Sequence, residues 1–121
     1  MIWRLARDVT KMDRGMGADI TSINQKHTFG HLEAQRLLPV VRRITQEVVV
    51  RAEALALRYE ALPEEHESRR GLERELNDLI IAWAAKIAKL GAEAKGLWLV
   101  DFDCGEAIYG WRFPETELVP L

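Results

Sequence analysis

Residues 31–61 read HLEAQRLLPVVRRITQEVVVRAEALALRYEA, and their spacing decides the fold. Val41, Val48, Leu55 and Leu62 recur every seven residues, with Leu37, Ile44, Ala52 and Tyr59 between them. Alternating steps of three and four put these side chains in one stripe along a helix. Arg42, Arg43, Gln46, Glu47, Arg51, Glu53, Arg58 and Glu60 mostly fill the remaining positions as a solvated face. At ~1.5 Å per residue the helix is about 45 Å long. Pro39 removes an amide and crowds the preceding turn, which predicts a kink or a short lead-in helix. Val48-Val49-Val50 lowers the intrinsic propensity, but its flanks are strongly helical and the register survives.

Downstream, Leu62-Pro63-Glu64-Glu65 predicts the reversal, because proline suits a helix's first position and carboxylates complement its positive end. A second stripe follows in Leu72, Leu76, Leu79, Trp83 and Leu90, widened by Ile80 and Ile87. Gly91 is the expected stop. A start near residue 64 gives this helix a length that matches the first, as an antiparallel pair needs; Ser68 is the competing cap.

After Gly96 the period drops to two. Leu97–Phe102 and Ala107–Phe113 are rich in aromatic and apolar residues and flank a turn at Asp103-Cys104-Gly105-Glu106. The first strand has Trp98, Val100 and Phe102 on one face; the second has Ala107, Tyr109, Trp111 and Phe113. Pro114 ends the pairing. The fold class expected is therefore mainly α: a long antiparallel two-helix hairpin with a small C-terminal β-hairpin. An isolated ribbon is marginal in water, so it must lie on the helices or pair with another chain.

Upstream, residues 1–27 carry no sustained period and are broken by Gly15 and Gly17. They read as a poorly ordered or loosely docked arm ahead of one domain over residues 28–121. Met12 and Met16 also allow a natural start further along.

Seventeen basic and nineteen acidic residues leave a formal charge of −2, which gives no reason to expect nucleic acid as a partner. Charges interrupt the N-terminal apolar residues, so no secretory signal is read. No apolar run approaches the ~20 residues of a membrane span. A single cysteine, Cys104, permits no internal disulfide and suits a reducing compartment, so a cytoplasmic location is expected.

Several residues resemble a known family. Phe29, Glu33-Ala34 and Leu37-Leu38-Pro39 match the Phe-Thr, Glu-Ala and Leu-Leu-Pro opening of small bacterial proteins called domain of unknown function 2203. Gly96, Leu99, Val100, Asp101 and Phe102 match that family's Gly-Leu-Val-Asp-Phe segment, and Trp111-Arg112 its last strand. The resemblance covers about residues 29–117. Gly30 stands where the family has threonine, two residues are inserted in the Gly-Leu-Val-Asp-Phe segment, and the hairpin turn is short. The chain stops at Leu121, before the family's Trp-His and Gly-rich, Arg-containing end, so an activity seated there is expected to be missing. The resemblance implies no mechanism.

No nucleophile, cofactor motif or catalytic set stands out. His27 and His31 lie four apart, but Thr28 and Gly30 place the helix start between them and break a metal-binding geometry. His66, among Glu64, Glu65 and Glu67, reads as an exposed turn residue. Asp103 and Glu106 beside Cys104 disfavour a thiolate. The positions of interest are Asp101, Asp103 and Glu106, which could converge across a tight turn, with Arg112 opposite. The ordinary reading of such acids is turn formation and solvation.

The favoured function is a self-associating interaction or structural module. Ile80, Ile81, Trp83 and Ile87 make the second helix apolar around much of its circumference, which suggests a homodimer or another protein partner. The alternative is a small enzyme or ligand-binding protein, with Asp101, Asp103, Glu106 and Arg112 as polar contacts and Trp98, Tyr109 and Trp111 as walls between ribbon and helices.

Overall fold

The structure is a computed structural model that describes residues 28–121. The arm expected over residues 1–27, with His27, lies outside them. Two helices come first, α1 over His31–Ala61 and α2 over Ser68–Lys89. Four strands follow: β1 (Glu93–Gly96), β2 (Leu99–Asp103), β3 (Ile108–Arg112) and β4 (Val119–Pro120). They form one antiparallel sheet in the order β1-β2-β3-β4.

Helix α1 has the expected bounds. Gly30 is extended, its amide donates to Glu33 Oε1 at 3.3 Å, and its carbonyl accepts from Ala34 at 2.9 Å. The helix runs through Pro39, so the separate lead-in helix does not form. Leu38 and Val41, on either side, are buried, and their packing holds the segment helical.

Helix α2 begins at Ser68, four residues later than expected. Residues 63–66 close a turn instead, with the His66 amide donating to the Pro63 carbonyl at 3.0 Å. His66 Nδ1 then accepts from the Ser68 amide at 3.1 Å, satisfying one of the orphan donors of the helix start. At the other end Gly91 adopts φ 94°. Ala92 donates to Ile87 and Gly91 to Ala88, the paired bonds of a Schellman stop.

Trp83 Nε1 donates to Thr45 Oγ1 at 2.9 Å, and the Tyr59 hydroxyl to Glu73 Oε1 at 2.8 Å. Around them, Val41, Ala52, Leu76, Ile80, Trp83 and Ile87 are fully buried and belong to one core with Val100, Phe102 and Trp111 of the sheet.

The expected ribbon is the central pair of a larger sheet. β2 and β3 pair from Leu99↔Arg112 to Asp103↔Ile108. Two strands were not read from sequence: β1 is mostly polar and lacks β-branched residues, and β4 has only two residues. Leu97 and Trp98 are not in the strand but turn β1 into β2, with Trp98 at φ 58°. Two contacts hold Trp98 in this left-handed conformation: its ring meets Trp83 edge-on at 5.1 Å, and its carbonyl accepts from the Phe113 amide at 3.0 Å.

Candidate functional site

Pairing register assigns each candidate polar residue to a side of the sheet. Residues directly opposite in an antiparallel pair share a face. Val100↔Trp111 and Phe102↔Tyr109 therefore face the core. Asp101↔Gly110, Asp103↔Ile108 and Leu99↔Arg112 face outward. Asp101, Asp103 and Arg112 thus lie on the opposite side from the aromatic residues expected as walls. Arg112 stands opposite Leu99 rather than an acid. The walls are also closed: Trp111 is buried, Trp98 packs on Trp83, and Tyr109 stacks on His31 at 4.6 Å.

Asp103 Oδ1 accepts from the Gly105 amide at 2.9 Å, which ties that carboxylate into its own turn. Asp101 sits in the middle of β2, and Glu106 is exposed beyond Gly105, whose φ of 83° makes the reversal. Among the described residues no group of three or more His, Cys, Asp or Glu side chains could hold a metal ion. Cys104, half-buried, is held as a thiol: burial raises its pKa most, and the charges of Asp103 and Glu33 add to the effect.

A second polar cluster lies where α1 ends and α2 begins. The Arg69 guanidinium lies 4.2 Å from the Tyr59 ring centre, and Arg69 Nε is buried with no hydrogen-bond partner. The hydrogen bond to Glu73, more than burial, raises the Tyr59 phenol above its ordinary value. Shallow grooves flank the helices, one along Pro39–Glu47 and one between Arg58 and Glu75. Neither contains a set of groups arranged for catalysis.

A family model described as an uncharacterized conserved protein (DUF2203) matches residues 27–119. The chain belongs to the DUF2203 family. The comparisons with curated proteins and with solved structures found no match.

The residues that carry the DUF2203 resemblance meet in space. The Phe29 and Phe102 rings lie edge-on at 5.6 Å, and the Phe29 amide donates to the Asp103 carbonyl at 2.8 Å. Ala34, Leu38, Val100 and Trp111 are buried in the same core. Most of these residues build the junction of helix and sheet. Glu33, on the first turn of α1, and Arg112, in β3, carry charges at exposed positions.

The apolar residues named for an interface divide. Ile80, Trp83 and Ile87 have no exposed surface, because the chain's own sheet and α1 cover them. Ile81 is 37% exposed. Other exposed apolar side chains lie on the sheet and beside it, at Ile108, Val119 and Leu121, and on α1, where Val50 is 60% and Leu57 73% exposed. With Ala54 and Ala61, also exposed, Val50 and Leu57 form a 4-3-4 pattern on the side of α1 away from the core. Reading the residues outside the main stripe as a second stripe would have found them. No helix among the described residues is long and apolar enough to cross a membrane.

Proposed function

We propose that this DUF2203 chain is a self-associating interaction module of the cytoplasm, whose two helices form an antiparallel hairpin and whose working state is a homodimer. The hairpin reading is supported by the crossed pairs Thr45–Trp83 and Tyr59–Glu73. The observation that carries self-association is the exposed apolar stripe of Val50, Ala54, Leu57 and Ala61. Single exposed apolar residues are ordinary, but a helical row of them marks a contact surface. A ligand-binding reading has less support, since its acids and its aromatic walls occupy opposite faces of the sheet.

The test is a charge placed in the stripe. Leu57→Glu should abolish dimerisation in light scattering while the far-ultraviolet spectrum stays helical. Ile81→Glu, on the other helix, should leave the dimer intact. The reverse result would move the contact to α2.

A further inference from the structure

We infer that the outward stripe of α1 seats a second copy of this chain, with the two α1 helices side by side and parallel. This rests on the self-association reading and deepens it by giving the seam and its direction. Val50 and Leu57 occupy one core position of a heptad, and Ala54 and Ala61 the other. The small alanines let two backbones approach closely. Arg51 and Arg58 then border the seam on one side, and Glu53 and Glu60 on the other, all exposed.

Charge selects the direction. In a parallel pair each bordering residue faces the opposite border of the partner, five positions along. Glu53 then meets Arg58 of the second copy, and the two-fold axis repeats the contact. In an antiparallel pair like borders meet: Glu53 faces Glu60, and Arg51 faces Arg58. Among the described residues the ion pair is Lys95–Glu93, and none of these four charges has an ion-pair partner among those residues.

The edges of the sheet offer no competing route by strand pairing. Its edge strand β1 carries the charged Glu93 and Lys95 and a register shift between Ala94 and Gly96, and β4 is two residues long and ends in Pro120. Such edges resist strand pairing. Toward the N-terminus Arg43 and Glu47 occupy the heptad core positions, which limits the apolar seam to residues 50–61 and makes the dimer a reversible one.

Sedimentation of the full chain over a range of concentrations tests this. Glu53→Arg and Arg58→Glu should each weaken the dimer about tenfold, and the double exchange should restore it to within about twofold. The neutral Glu53→Gln and Arg58→Gln should weaken it less than the reversals. Single reversals that tighten the dimer would establish the antiparallel arrangement and overturn the proposal. A dimer indifferent to all of these changes would place the contact elsewhere and overturn the seam alone. A wild-type chain that never dimerises would overturn the self-association reading itself.

Discussion

Trp83 Nε1 lies 2.9 Å from Thr45 Oγ1, and neither residue has any exposed surface. The bond joins α1 to α2 inside an apolar core, where an unpartnered indole N–H is costly. Thr45 is the buried polar residue of the core, and Trp83 accounts for it.

Thr45→Val keeps the shape of the side chain but orphans the indole N–H, and should cost about 1–3 kcal/mol. Trp83→Ala should cost ~3–5 kcal/mol through the cavity it opens. Urea unfolding checks both. A loss below ~1 kcal/mol for Trp83→Ala would contradict its role as the core anchor.

The Trp98 turn should order its substitutions by backbone preference rather than by size. Asparagine tolerates a positive φ, whereas a β-branched residue does not. Trp98→Asn should melt below wild type because the contact with Trp83 is lost. Trp98→Val should be less stable still, by a further ~1–2 kcal/mol, and so melt lower. Equal melting temperatures would show that the φ of 58° carries no cost.

Cys104 should alkylate slowly at neutral pH. Burial first, then Asp103 and Glu33, hold its thiol above the ordinary value, so the reactive thiolate is scarce. Because the folded thiol titrates above the unfolded one, its stabilising contribution is full below the unfolded pKa. It is lost as pH rises through the folded pKa. Following the iodoacetamide rate against pH should give a midpoint above that of the unfolded chain, lowered by Asp103→Asn. A midpoint at or below the unfolded value would contradict this environment.

Much of the fold was legible because it rests on long periodic signals. The bounds of α1, the stop at Gly91 and the pairing of the Leu99 and Trp111 segments all carry such signals. The start of α2 was not legible, since Pro63-Glu64-Glu65 has the composition of a helix start; the His66 ring, which accepts the Ser68 amide, moves it. β1 and β4 are short and owe their extended form to neighbours. Asp101 and Asp103 share the outward face of β2, and the bond from the Gly105 amide to the Asp103 carboxylate is a turn contact that residue spacing alone did not announce. The surface of α2 was overcounted because two of the four strands, β1 and β4, carry no periodicity of their own, so the ribbon read from sequence is smaller than the sheet that forms.

Self-association is tested most directly by the mass of the unmodified chain in sedimentation equilibrium as concentration rises. The seam of Val50, Ala54, Leu57 and Ala61 calls for a mass that climbs from 13.9 kDa to twice that value and stops there. A mass that stays at 13.9 kDa into the hundreds of micromolar would contradict it.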